Sequence, residues 1–293
     1  MAVKVDLTVP ESVDTLFNTE FGVPDTVYCM HGIMSRGSEQ NFDFGLQVRV
    51  LLLNTHQADP PNLREQVNFD SVRLVLQAAR KYGANRDLPP IKFIFTSSLA
   101  VYGGPTPDIV TPSTIATPEG AYGVAKLAAE LLVNEFSRRG FVDGRIIRLP
   151  TIIVRAGAPA AATSAFLSLC PIGDSIDSPE LDLAVWVASP KTTVKNFIVA
   201  KHIPADKFLP HTRVVYLPGI TTTIREELKA LEEVGGKKAL ELVKFKDDPI
   251  SRRLVLSWPA RFDLSYPLSL GFFVDEGGMV PIVRQFQVEA GLL

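Results

Sequence analysis

Little cysteine, no long apolar run and no surplus of either charge mark this sequence. Cys29 and Cys170 are the only cysteines in 293 residues, and both lie in apolar stretches. That excludes a disulfide framework and points to a reducing compartment. No uninterrupted apolar segment reaches ~18 residues, so no membrane span is expected. The formal net charge is −2, and without a basic stripe nucleic acid is not an expected partner. His31, His56, His202 and His211 show no metal-ligand spacing among themselves or with the cysteines, so no metal site is expected. The opening Met1-Ala-Val-Lys-Val-Asp6 has neither the length nor the layout of a signal peptide. Together these point to a soluble, cytoplasmic protein.

What is present reads as a globular enzyme: 46% of residues are hydrophobic and 21% charged, enough to bury a substantial core. Val3 to Leu7 reads as a strand, Pro10 to Phe17 as a short helix with proline in its first turn, and Asp25 to His31 as a buried parallel strand. Val67, Val72, Leu74, Val75, Ala78 and Ala79 form an apolar stripe, which predicts a helix from Val67 to Tyr82 closed by Gly83. A strand over Ile91 to Thr96, a Pro/Thr-rich loop over Gly103 to Gly120, a helix from Tyr122 to Arg139 and a strand over Gly144 to Leu149 follow. This alternation predicts an α/β fold, a parallel sheet flanked by helices. Beyond Ala156 the rhythm changes. Helices over Lys191 to Lys201, Thr223 to Val234 and Pro281 to Glu289, with a strand over Thr212 to Leu217, suggest a smaller α+β region. The expected division is residues 1–165 for the α/β part and 166–293 for the smaller region.

The residues that carry chemistry lie in the first part. Tyr122 and Lys126 stand at i and i+4, one turn apart on one helix face. Tyrosine is a poor base at neutral pH, with an ordinary pKa of ~10, and a neighbouring ammonium favours its phenolate. Ser98 ends a strand, at the carboxyl edge where open α/β sheets place their ligands, and its hydroxyl can hold a substrate oxygen against Tyr122. A bare Tyr-x-x-x-Lys recurs by chance. Here it follows Thr96-Ser-Ser-Leu-Ala-Val-Tyr-Gly103 and a proline-rich loop, and precedes an apolar strand ending in Arg148-Leu-Pro-Thr151. That combination is specific.

These residues resemble the extended short-chain dehydrogenases/reductases, also called the NAD-dependent epimerase/dehydratase family. The resemblance implies a Rossmann-like doubly wound sheet and a catalytic serine, tyrosine and lysine at Ser98, Tyr122 and Lys126. Within the family, the stretches Asn134 to Arg145, Arg148 to Arg155 and Ser257 to Asp263 resemble sugar-acid dehydrogenases. They imply oxidation of a small D-erythronate-like sugar acid, with NAD favoured over NADP. Nucleotide-sugar epimerases and dehydratases share the same triad and stay open as an alternative. Carried over residue by residue, the cofactor contacts are Asp6 and Leu7 beside the adenine, and His31, Gly32 and Ile33 under the pyrophosphate and ribose. Ser35, Asn68, Tyr122, Lys126, Pro150 and Thr151 complete them on the nicotinamide side. Arg155, a planar two-pronged donor, is the candidate for the substrate carboxylate, a surface ion pair being the competing reading. A homodimer through the Tyr122 helix is also implied.

Two departures from the family pattern stand out. The family opens on a strand, a Gly-x-x-Gly-x-x-Gly loop and a helix whose N-terminus holds the pyrophosphate. No such loop occurs in this sequence, which begins at what corresponds to the third strand. The first βαβ portion is therefore expected to be absent, the Asp25 to His31 strand to lie at an edge, and NAD to bind weakly, leaving a catalytically impaired fragment as a further alternative. The second departure is a 19-residue insertion, Val48 to Gln66. Valine codons begin GT and a glutamine codon can end AG, so 19 codons fit a retained intron of 57 nucleotides; a genuine loop around Pro60-Pro61 is the other reading. Transcript sequencing is expected to recover messages without those nucleotides. Their retention in every read overturns the intron.

Overall fold

The computed structural model describes residues 4–32, 66–84, 87–154, 175–243, 245 and 249–292. The chain forms two compact units and crosses between them several times. Met1–Val101, Gly120–Arg148 and Ile203–Val215 build the first, and Tyr102–Glu119, Leu149–His202 and Tyr216–Leu293 the second.

The first unit is built on a four-stranded sheet in the order β1 (Thr26–Cys29), β2 (Lys92–Ser98), β3 (Asp143–Leu149) and β6 (Val214–Tyr216). β1 and β2 run parallel, with Val27 opposite Phe93 and Cys29 opposite Phe95. Phe93, Ile94 and Phe95 are all fully buried, as befits a strand covered on both faces. The expected edge is found: among the described residues β1 pairs only with β2, and Tyr28 and Met30 are exposed beside it.

Helix α1 (Pro10–Asp14) is shorter than expected, and the predicted strand over Val3 to Leu7 is a correction. Residues 4–9 turn instead. The Asp6 carboxylate accepts from the Thr8 amide (2.9 Å) and hydroxyl (2.6 Å), while the Asp6 amide donates to Ser12 Oγ (2.8 Å). An aspartate that binds the backbone two residues on offers the chain a turn in place of a ladder. Leu7 still packs against the core that Val13 and Phe17 enter.

Helix α2 (Ser71–Gly83) buries Val72, Val75, Leu76, Ala78 and Ala79. It is entered through one π-helical turn, Gln66–Asp70, where a regular helix was expected. The wider turn places Asn68 inside, 6% exposed. Each large apolar side chain buried in this way contributes ~1.5–3 kcal/mol. Helix α3 (Ala121–Arg138) covers the sheet through Ala129 and Val133 but also turns Lys126 and Glu130 inward. At Gly144 the helix and β3 meet too closely for a side chain: a Cβ there would stand 2.9 Å from Val133 Cγ1 and clash with Ser137 Oγ.

The second unit holds a sheet that the sequence pattern largely missed, β4 (Thr151–Ile152), β5 (Ala184–Ala188) and β7 (Ile220–Thr223). β5 runs parallel to β4 and antiparallel to β7. Helices α4 (Pro190–His202), α5 (Ile224–Leu240), α6 (Pro249–Leu256), α7 (Ser265–Ser269) and α8 (Met279–Glu289) complete it. A capping box between Thr223 and Glu226 starts α5. Phe262 gathers Trp186 (4.9 Å), Tyr216 (5.1 Å) and Tyr102 (5.8 Å) around its ring. The Tyr216 hydroxyl donates to the Asp263 carbonyl at 2.6 Å, so the Ser257 to Asp263 stretch anchors this unit.

One group in the second unit sets a pH dependence. Glu227 is 1% exposed, and neither carboxylate oxygen has a hydrogen-bond partner among the described residues. Burial pushes its pKa up from 4.5 to about 8. The folded state therefore holds a proton that the unfolded state releases. Its contribution to stability is full below about pH 4.5 and is lost as pH rises to about 8. Glu227→Gln is expected to remove that slope and to gain roughly 2–4 kcal/mol at mildly alkaline pH, measured by urea unfolding across the range. Parallel pH–stability curves for the two proteins would contradict this.

Candidate active site

Strand β2 ends in Thr96-Ser97-Ser98, where the buried apolar run gives way to polar residues, and a 3₁₀ turn, Leu99–Val101, carries the chain off the sheet. The Ser98 hydroxyl accepts from the Ala100 amide at 3.1 Å, which holds it at the strand end. Helix α3 begins at Ala121 and brings Tyr122 to the same place, so that Ser98 hydrogen-bonds the Tyr122 side chain. The two residues come from separate elements, strand end and helix start, and meet at the carboxyl edge of the sheet.

Lys126 lies one turn further along and is only 1% exposed. Its ammonium donates to the carbonyls of Thr96 (2.9 Å) and His31 (3.1 Å) and stands 5.7 Å from the centre of the Tyr122 ring. Burial lowers its pKa to about 8, partly offset by Cys29 and Glu130. At neutral pH it stays mostly cationic. Tyr122 departs from the expectation that lysine lowers its pKa. Burial pushes the phenol up to about 12, and only the Ser98 hydrogen bond acts in the other direction.

His31 and Gly32 follow β1 and meet this group. A Cβ on Gly32 would sit 3.0 Å from Lys126 Nζ and 3.4 Å from Asn68 Oδ1, so glycine keeps an exposed backbone shelf open directly over the lysine. His31 Nε2 lies 2.5 Å from Ser71 Oγ, which in turn donates to the Val67 carbonyl at 2.5 Å. With that hydroxyl proton committed, Nε2 is the protonated nitrogen, and Nδ1 is left to accept from Cys29 Sγ at 3.7 Å. Burial first and Lys126 second lower the His31 pKa to about 4, so it is neutral at physiological pH. Cys29 is fully buried, its thiol pushed up to about 12, and so it is unreactive.

The structure thus brings Ser98, Tyr122, Lys126, His31, Gly32 and Asn68 together in the first unit. Asp6 is exposed and Leu7 partly buried in the turn before α1. Pro150 and Thr151 belong to the second unit, where Thr151 pairs with Val187. Ile33, Ser35 and Arg155 lie outside the described residues, as does the insertion except Gln66. Among the described residues no three of His, Cys, Asp and Glu cluster as metal ligands, and no helix is long and apolar enough to cross a membrane.

Sequence reasoning overlooked Glu130 and Arg148. Glu130 is 1% exposed and accepts from Ser97 Oγ (2.5 Å), Arg148 Nε (2.9 Å) and Arg148 Nη2 (2.6 Å). A third polar position at i+8 on the Tyr122 face was the available signal.

The backbone at Gly32 stays open beside Lys126 and Asn68. The NAD-dependent epimerase/dehydratase family profile matches residues 54–168. A D-erythronate dehydrogenase from Haemophilus influenzae is 38% identical over 247 residues, spanning 80% of this chain and 74% of that protein. A second, from Cupriavidus necator, is 32% identical over 299 residues, spanning 98% and 81%. Among solved structures, a nucleoside-diphosphate-sugar epimerase from Agrobacterium tumefaciens superimposes with a TM-score of 0.76 at 30% identity, covering 98% of this chain and 78% of that one. A GalE-like L-threonine dehydrogenase from Cupriavidus necator shares the fold, with a TM-score of 0.73 at 18% identity over 98% and 84% of the two chains. At this identity and coverage the relatives show that the chain is an enzyme of the NAD-dependent epimerase/dehydratase family.

Proposed function

We propose that the protein is an NAD-dependent dehydrogenase of a small hydroxy sugar acid, D-erythronate or a close analogue. The observation that carries this reading is the meeting of Ser98, Tyr122 and Lys126 at the carboxyl end of β2. In this reading Ser98 holds the substrate hydroxyl oxygen. Tyr122 takes its proton, and Lys126 supplies the positive charge that makes a phenolate tolerable in a buried place. Bound NAD would supply the acceptor for the hydride that leaves the carbon bearing that hydroxyl. Gly32, Asn68 and Lys126 would hold its ribose and nicotinamide end, the shelf over the lysine being where glycine leaves room. The two D-erythronate dehydrogenases support the substrate class, and Arg155 is the proposed partner of the carboxylate. Val124 and Leu131, exposed apolar residues on α3, support dimerisation through that helix.

A second reading, epimerisation of a nucleotide sugar, draws on the Agrobacterium structure. It uses the same tyrosine and serine for its first hydride step but returns the hydride, so it gives no net NADH. Incubation with D-erythronate and NAD is expected to produce NADH steadily. NADP should give less, and nucleotide sugars should give none and remain unepimerised. Tyr122→Phe should lower the rate at saturating NAD by about 10²–10⁴-fold. Steady epimerisation without NADH would support the second reading, and a Tyr122→Phe enzyme as active as the parent would refute both.

A further inference from the structure

Three consecutive residues of β2 each hold one of three residues spaced a turn apart on α3. The Thr96 carbonyl accepts from Lys126, the Ser97 hydroxyl donates to Glu130, and Ser98 bonds Tyr122. A strand alternates its side chains between faces, whereas α3 presents Tyr122, Lys126 and Glu130 as one stripe. The match between strand and helix therefore needs one point that fixes their relative sliding. Two of the three are also held from a further segment: Lys126 by the single His31 carbonyl after β1, and Glu130 by Arg148 of β3, which grips it through both Nε and Nη2. The two-pronged geometry fixes the orientation of the carboxylate as well as its position. Glu130 and Arg148 are almost wholly buried, so the pair is not loosened by solvent.

We infer that Ser97, Glu130 and Arg148 are positioning residues of the reaction: their clamp sets the register of α3 on β2 and so holds Lys126 and Tyr122 at Ser98. The inference rests on the dehydrogenase reading for its kinetic consequence and on the clamp geometry alone for its structural one. None of the three need touch substrate. A displacement of α3 by a fraction of a turn would break the Ser98–Tyr122 contact and free the lysine from its two carbonyls. Catalytic groups tolerate little such error.

The test uses Ser97→Ala, Glu130→Gln and Ser97→Thr in the full chain. Glu130→Gln removes the counter-charge of Arg148 and risks folding, whereas Ser97→Ala leaves the ion pair in place and Ser97→Thr keeps the hydroxyl. Two readouts are taken on folded protein. The first, acetylation of Lys126 by an amine-reactive reagent followed by peptide mass spectrometry, needs no substrate. The second is kcat, KM and the acid limb of the pH profile for sugar-acid oxidation. Ser97→Ala is expected to label Lys126 about tenfold faster, with kcat down about tenfold, KM within about twofold, and the acid limb moved to higher pH. Ser97→Thr should restore the parent values. Unchanged Lys126 labelling in both Ser97→Ala and Glu130→Gln overturns the clamp, as does faster labelling with unchanged kcat. If the parent oxidises no sugar acid, the functional reading fails, and faster Lys126 labelling in Ser97→Ala with rescue in Ser97→Thr still upholds the clamp.

Discussion

A helix laid across the end of a parallel strand normally meets it with apolar side chains, and α3 does so at Ala129 and Val133. Along the neighbouring stripe it turns Tyr122, Lys126 and Glu130 toward the sheet instead. Burying an ammonium and a carboxylate is tolerable only when every one is paired or hydrogen-bonded. That requirement dictates what lies opposite. β2 must end in groups that answer in order: a carbonyl for the lysine, a hydroxyl for the glutamate and a hydroxyl for the tyrosine. β3 must then supply the arginine that completes the glutamate, and the backbone after β1 must supply a second carbonyl for the lysine. Strand order, helix register and the open glycine at position 32 all serve this one polar seam.

How much of this was legible in the sequence depended on how local each contact is. Tyr122 and Lys126 could be paired from spacing alone, because i and i+4 are neighbours on any helix. The α2 stripe was readable for the same reason, although Leu76 is the fully buried leucine and Leu74, which the stripe included, is only partly covered. The Glu130–Arg148 pair was not readable, since it joins a helix to a strand across the chain and both residue types usually face water. The short strand Ala184–Ala188 follows a polar turn and is too brief for alternation to show. Its Trp186 is fixed by Phe262, from a segment that looks irregular until Tyr216 and Val110 hold it in place. Asp6 illustrates the opposite failure. Val3 to Leu7 has the apolar content of a strand, but the aspartate binds Thr8 and bends the chain before any ladder forms.

Burial moves the pKa values of Tyr122 and Lys126 in opposite senses, and the consequence bears on how the proposed base could work. It penalises the phenolate, raising Tyr122 to about 12, and penalises the ammonium, lowering Lys126 to about 8. Desolvation by itself therefore moves the pair away from the phenolate–ammonium state that a base requires. The compensating interactions are specific and few: the Ser98 hydrogen bond favours the phenolate, while the Glu130 carboxylate favours the ammonium. Each acts over a short distance and weakens as the groups move apart. A site exposed to water would avoid the penalty but would also screen the lysine charge to ~1 kcal/mol at 4 Å. In the proposed reading a buried site screens the lysine charge less, at the cost of demanding that the lysine be held in place. Placement, more than the intrinsic acidity of either residue, is what makes Tyr122 a base in this reading. The rigid contacts of Thr96 and His31 with Lys126 are where the structure provides it.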